Sequence, residues 1–274
     1  MSGILYVTGT PIGNLSDFSP RAAQTLSEVD FIAAEDTRVT LKLLNHLGIK
    51  KPMVSYYEHN RRERGEMICE RIEQGENCAI VTDAGMPCIS DPGEDLVKLC
   101  AERGIKTVVI PGPSAVVSAL AVSALPTGRF TFEGFLSVNK KSRGEHLKSL
   151  LREKRTMIFY EAPHKLPATL KDFYDTFGDR KLSIVRELTK IHEEVIRTTT
   201  KLAAEQLSDG SVKGDIVLVL EGAEEDTAES YTLEDAVEMA RQLIAGGEKA
   251  TDAAKQAASM TGLKKNEIYR ELIL

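Results

Sequence analysis

Over residues 1–125 the hydrophobic and polar positions fall into a repeating pattern. Short apolar runs at residues 4–8, 31–34, 53–56, 78–81 and 107–110 predict buried strands. Between them lie segments with helical spacing. Ser19-Pro20 opens a helix through residue 26. Thr37 is placed to cap a helix carrying Leu41, Leu43, Leu44 and Leu47, which Gly48 ends. Asn60 starts a polar helix to about residue 73. Asp91 sits at an expected N-cap, with Pro92 at the first helical position, an apolar face of Leu96, Val97, Leu99 and Cys100, and a stop at Gly104. The helix over 114–125 is almost wholly small and apolar, so it is expected to be buried against the sheet, with Ser114 able to cap it. Alternation of strand and helix predicts a mostly parallel sheet covered on both faces.

After Leu125-Pro126-Thr127-Gly128 the texture changes. Strands are expected at 130–136, 156–160, 182–186, 193–199 and 215–220, with helices at 163–177 and 202–207 and a basic helix after the first strand. Their closer spacing predicts a mixed, partly antiparallel sheet. An acidic linker, AEEDTAES, follows Gly222, and the remainder reads as helical, with a turn at Thr261-Gly262 that suits a helix-turn-helix or a plain helical hairpin. The expected organisation is therefore α/β. It comprises an N-terminal domain over 1–125, a C-terminal α/β domain over 126–223, and a linker with helical extension over 224–274.

Composition narrows the class. Of 274 residues, 42% are hydrophobic and 28% charged, the balance of a globular protein. No apolar run approaches the roughly 18 residues of a membrane span, and the first residues lack the basic region of a signal peptide. Cys69, Cys78, Cys88 and Cys100 contain no CxxC pair and read as reduced packing residues of a cytoplasmic protein. The five histidines show no ligand spacing, so no metal is expected. A net charge of −6 argues against a protein that coats nucleic acid non-specifically. Local basic patches remain: Lys140, Lys141, Arg143, Lys148, Arg152, Lys154 and Arg155 on one stretch, and Arg61, Arg62 and Arg64 on another.

Three stiff loops end three of the first-half strands. They are Gly9-Thr10-Pro11-Ile12-Gly13-Asn14, the stretch holding Gly85, Pro87, Pro92 and Gly93, and Pro111-Gly112-Pro113. In open α/β sheets ligands bind at such carboxyl ends. Neither a phosphate loop of the GxxxxGK[ST] type nor a GxGxxG after a strand is present, and prolines stand where phosphate-binding N–H groups would point. A cationic nucleoside without phosphate, such as S-adenosylmethionine, fits these loops better.

Seven motifs in order, VTGTPIGNL, AAEDTR, DAGMPCISDPG, PGPSA, FYEAPHK, RELTK and KGDIVLVLEG, resemble the tetrapyrrole-methylase superfamily. Within it they are similar to the branch of small-subunit ribosomal RNA methyltransferase I, which 2′-O-methylates a cytidine in the decoding centre. The resemblance covers residues 4 to about 222, and the helical tail resembles an extension found on many members. Met86 stands where the family usually has Thr, and Lys165 where it often has Arg; neither removes a chemically essential group. The resemblance implies two α/β domains with S-adenosylmethionine in the cleft between them, and a homodimer. It implies donor contacts at Pro11, Ile12, Asp83, Gly85, Met86, Ile89, Ser114 and Ala115, with Tyr160 or Glu161 closing over. On the residues alone, Ser114 also reads as a helix cap and Asp83 as a turn former.

Methyl transfer from a sulfonium is an in-line displacement, so the protein positions the donor and excludes water. A ribose hydroxyl needs a base, or a cation that stabilises the forming alkoxide. Candidates at strand ends are Glu35, Asp36, Arg38, Glu161, His164, Glu187 and Lys190; Glu161 ranks first as base and Lys190 as alkoxide stabiliser. The partner implied is small-subunit ribosomal RNA or the assembled small subunit, whose phosphates would meet Arg38, Arg61, Arg62, Lys140, Lys141 and Arg143. Two rival readings stay open: a methyltransferase acting on a small molecule such as a tetrapyrrole, and a non-enzymatic ribosome assembly factor.

Overall fold

The computed structural model describes residues 2–224, 232–261 and 263–273. Most of the predicted acidic linker, and Gly262 of the predicted turn, lie outside these residues. Two compact units are present, Met1–Gly222 and Ala223–Leu274.

The first unit holds two five-stranded sheets. Strands β1 (Ile4–Thr8), β2 (Phe31–Ala34), β3 (Met53–Ser55), β4 (Cys78–Val81) and β5 (Lys106–Ile110) lie in the order β3-β2-β4-β1-β5, all parallel. Central strands β2 and β4 are buried at every position, as a parallel sheet covered on both faces requires. Helices α1 (Pro20–Glu28), α2 (Thr37–His46), α3 (Arg61–Glu73) and α4 (Glu94–Glu102) cover it. The parallel sheet of the first half thus stands as the periodicity predicts.

Two predicted caps move. The cap of α2 is Asp36, whose carboxylate accepts the Arg38 N–H at 2.8 Å, rather than Thr37. Helix α4 begins only at Glu94, capped by Gly93 at φ 135°, so Asp91 and Pro92 remain in the loop. Helix α5 (Ala115–Val122) also differs from expectation. Only Val116, Ala119 and Leu120 are buried, and they pack against Ile158, Val185, Val217 and Val219, which belong to the second sheet. Its other face leaves Val117 52% exposed.

The second sheet comprises β6 (Phe130–Phe135), β7 (Thr156–Glu161), β8 (Lys181–Arg186), β9 (Glu194–Thr199) and β10 (Ile216–Leu220), ordered β6-β7-β10-β8-β9. Only β6 and β7 pair in parallel; the remaining pairs are antiparallel, giving the mixed sheet expected. Helices α6 (Lys140–Ser149), α7 (Leu166–Phe177) and α8 (Thr200–Gln206) belong to this half. Its core centres on Phe159, Leu170, Phe173, Ile184 and Leu218, with Phe159 and Phe173 rings 4.9 Å apart.

Among its described residues the second unit holds three helices, α9 (Leu233–Ala245), α10 (Ala250–Thr261) and α11 (Lys265–Leu272). Thr232 opens α9 in a capping box with Asp235. Ala236, Ala240, Ala253, Ala254 and Ala257, with the larger Val237 and Ile268, form its core. No helix among the described residues is long and apolar enough to cross a membrane.

Candidate active site

The three stiff loops meet at one end of the first sheet. Thr10 and Gly85 exchange backbone hydrogen bonds of 2.8 and 3.1 Å, an isolated bridge joining the loop after β1 to the loop after β4. The Thr10 hydroxyl donates to the Thr82 carbonyl at 3.0 Å. The loop after β5 closes on the same point. A Cβ on Gly112 would stand 2.8 Å from the Gly9 Cα, so only glycine permits this backbone contact. Gly9, Gly85 and Gly112 therefore bring the three loops together at one joint surface.

A cavity of about 410 Å³ opens beside that surface, between it and the ends of β7, β8 and β10. This volume falls within the roughly 300–1,000 Å³ typical of small-molecule sites. The first-half loops contribute Ile12, Gly85, Met86, Ile89, Ser114 and Ala115; the second half contributes Tyr160, Glu161 and Lys190. Pro11 and Asp83 instead line a neighbouring cavity of about 250 Å³, with Leu15, Val39, Thr40 and Lys42. Ser114 holds the N-cap position of α5 but makes no side-chain cap bond, and its residue lines the larger cavity.

The two expected chemical groups are each tied down. Glu161 is 4% exposed; its carboxylate accepts the Ala162 N–H at 2.8 Å and the Thr169 hydroxyl at 2.5 Å. With both oxygens engaged, it fits the role of a fixed wall better than that of a free proton acceptor. The Lys190 ammonium donates to Glu187 at 2.9 Å and Asp215 at 2.5 Å. Burial pulls its pKa down, but the bonds to Asp215 and Glu187 outweigh that, and the net direction is up. Lys190 is therefore a firmly charged cation at the cavity wall. Its loop is strained: Glu187 and Thr189 stand at φ 52° and 64°, a region non-glycine residues seldom occupy.

Several cavity residues carry no clear mark in the sequence. Phe135 follows an irregularity in β6 pairing between Phe132 and Gly134; it is 58% exposed and packs 5.4 Å from the Tyr160 ring. Apolar alternation gives no hint of this, because a bulge changes which face a side chain takes. Burial, followed by the Asp91 charge, pushes Tyr160 up to about 12. Ser90 and Asp91 also line the cavity; their signal is the Gly/Pro-rich loop, whose last residues resemble a helix start.

Of the remaining candidates, Glu35 accepts bonds from the Thr82 hydroxyl and the Asp83 N–H. Burial raises the Asp83 carboxyl, with Glu35 adding to the effect. Asp36 and Arg38 pair in a bidentate contact, leaving the Arg38 side chain 87% exposed. His164 is exposed in the turn before α7. Arg61 pairs with Asp95 at 3.0 Å, and Arg143 with Asp172 at 2.6 Å. Lys140 and Arg62 are exposed, and Lys141 reaches Glu145 only at 4.0 Å.

The model of the family described as Tetrapyrrole (Corrin/Porphyrin) Methylases matches residues 4–204. A Synechocystis sp. protein named ribosomal RNA small subunit methyltransferase I is 45% identical, covering 98% of this chain and 96% of its own. The Bacillus subtilis protein of the same name is 42% identical over 97% and 93%. That of Thermotoga maritima is 47% identical, covering 81% of this chain and 100% of its own. Among solved structures, the methyltransferase CobJ aligns with a TM-score of 0.61 at 18% identity, covering 81% of this chain and 95% of that one. A uroporphyrin-III C-methyltransferase from Thermus thermophilus, complexed with S-adenyl homocysteine, aligns with a TM-score of 0.57 at 14% identity, over 80% and 97%.

Proposed function

The chain belongs to the tetrapyrrole methylase family, and on that footing we propose that it transfers a methyl group from S-adenosylmethionine to small-subunit ribosomal RNA. The observation that carries this reading is near-full-length identity to relatives named for that activity, joined to a cavity walled by the three motif loops. More finely, the acceptor is the 2′-hydroxyl of a cytidine, the substrate is the small subunit or its RNA, and the protein works in the cytoplasm.

The cavity suits the donor chemically. S-adenosylmethionine supplies an electrophilic methyl on a sulfonium. Ile12, Met86, Ile89 and Ala115 offer apolar walls, Phe135 and Tyr160 aromatic faces, and Ser114 a free hydroxyl. Lys190 offsets Asp215, so the carboxylates at Asp91 and Glu161 leave the lining net anionic, which favours a cationic ligand. Lys190 supplies the cation that stabilises an oxyanion forming at the acceptor, held in place by Glu187 and Asp215. Pro11 and Asp83 line the smaller neighbouring cavity rather than the larger one proposed for the donor. Lys140, Lys141 and Arg62 are the exposed cations available to phosphates, joined by Arg38 beside its partner Asp36; Arg61 and Arg143 contribute less while paired. A second copy of the chain covers the apolar residues left open at Val109, 54% exposed, and Val117, 52% exposed.

The test is transfer of label from S-adenosylmethionine to small ribosomal subunits lacking their modifications, followed by nucleoside analysis of the RNA. Recovery of labelled 2′-O-methylcytidine supports the full reading. Label on a base leaves the RNA methyltransferase and removes the ribose assignment. Label appearing only on added porphyrinoids transfers the proposal to a small-molecule acceptor.

A further inference from the structure

The loop between β4 and α4 reaches the cavity by an unusual backbone path. Cys88 and Ser90 adopt φ of 73° and 63°, and Gly93 adopts 135°. A Cβ on Gly93 would fall 2.7 Å from the Cys88 Sγ, so the loop's return onto itself requires glycine there. The Cys88 N–H bonds back to the Pro92 carbonyl at 3.4 Å. Strain of this kind persists only where surrounding structure over-determines it, and it clusters at sites where a side chain must be aimed. Here the curl holds Asp91 off the helix it was expected to cap and turns it into the cavity wall.

Three carboxylates line that cavity: Asp91, Glu161 and Asp215. Glu161 is satisfied by Ala162 and Thr169, and Asp215 is neutralised by Lys190. Asp91 has no cationic partner among the described residues; the Thr82 hydroxyl lies beside it but gives its proton to Glu35. Titratable groups face it from each surrounding element: Glu35 after β2, Asp83 after β4, Cys88 in its own loop and Tyr160 on β7. Burial first, and then the Glu35 charge, push its carboxyl up to about 6. A carboxylate in that range is ionised at neutral pH yet far more basic than an exposed one, as a general base should be.

We propose that Asp91 is the catalytic base of this protein, accepting the proton of the acceptor hydroxyl as the methyl group is transferred. The assignment rests on the methyltransferase reading. As the acceptor oxygen forms its bond to the methyl carbon, the carbon–sulfur bond breaks and its electron pair stays on sulfur. The hydroxyl proton passes to an Asp91 oxygen, and from there to solvent. Lys190 then acts on the same oxygen as counter-charge, a division of labour between one unpaired carboxylate and one well-held ammonium.

The test uses the full chain, labelled S-adenosylmethionine and unmodified small subunits, with D91N and the shorter D91S as variants. Both should lower turnover by roughly 10²–10⁴-fold, the usual worth of a general base. Calorimetric affinity for S-adenosylmethionine should fall far less than turnover, since Glu161 still lines the cavity. Wild-type turnover should rise about tenfold per pH unit below about 6 and then level, and that limb should vanish in both variants. As a readout independent of activity, the melting temperature of D91N relative to wild type should climb between about pH 4 and 6. Turnover retained in both variants overturns the assignment, as does turnover lost in step with donor affinity, which would make Asp91 a donor-binding group. A wild type that labels no RNA overturns the substrate reading and the assignment with it; a working wild type with equally active variants overturns the assignment alone.

Discussion

Among single residues, the site is decided by which charges are neutralised. Lys190 has two carboxylate partners and stays cationic, so Lys190→Met should cut turnover by about 10²-fold or more while S-adenosylmethionine binding changes little, measured by single-turnover label transfer and calorimetry. Asp91 has the opposite problem, a charge kept in a half-buried wall beside Glu35 and Asp83. Its folded pKa lies above the unfolded value, so ionisation costs stability, fully above about pH 6, and the cost fades as pH falls towards 4. A tenfold change in proton affinity is worth ~1.4 kcal/mol, and partial exposure to solvent reduces what is felt. Asp91→Asn should therefore stabilise the fold by about 1–2 kcal/mol at pH 8 and by nothing near pH 4. Denaturant melts at the two pH values check this. A gain in stability with a loss of activity is the expected mark of a functional group.

Among the elements, the loops matter more than the helices they precede. The contact between Gly9 and Gly112 binds the loop after β1 to the loop after β5 through backbone alone. Gly112→Ala should destabilise by about 1–3 kcal/mol, as overpacking does, and weaken donor binding; thermal melts and titration read both. Helix α6 behaves differently, since Lys140 is exposed and Lys141 makes only a long, exposed ion pair with Glu145 within the same helix. Reversing both to Glu should weaken binding to small subunits, most strongly at low salt, and leave affinity for S-adenosylmethionine unchanged. Arg143, paired to Asp172, is a poorer choice for that experiment because its loss also breaks a half-buried pair.

In the molecule as a whole, both cavities described above belong to the first unit. Every residue lining either cavity lies between positions 10 and 217. The Thermotoga maritima relative is matched along its entire length by 81% of this chain. Truncation after Gly222 should therefore yield a folded protein that binds S-adenosylmethionine as the full chain does, with any deficit appearing only towards the ribosomal substrate. Substituting Val117 by Glu should lower the molar mass measured by light scattering if a second copy covers that face.

The parallel sheet, the mixed sheet, the three stiff loops and the family resemblance were all legible in the order of residues. Each rests on local periodicity, on the backbone preferences of glycine and proline, or on motifs in fixed order. Other features arose only from packing in three dimensions. Helix α5, uniformly apolar in sequence, buries one face only, and against the second sheet, because burial depends on which neighbour arrives and not on composition. Glu161 and Lys190 look alike as charges after strands, yet one is consumed by Ala162 and Thr169 and the other is held by Glu187 and Asp215. Asp91 followed by Pro92 is a sound local signal for a helix start, and the strained turn at Cys88 and Ser90 overrode it. Pairing, exposure and proton affinity at these positions come from contacts between segments far apart in the chain, which no local pattern encodes.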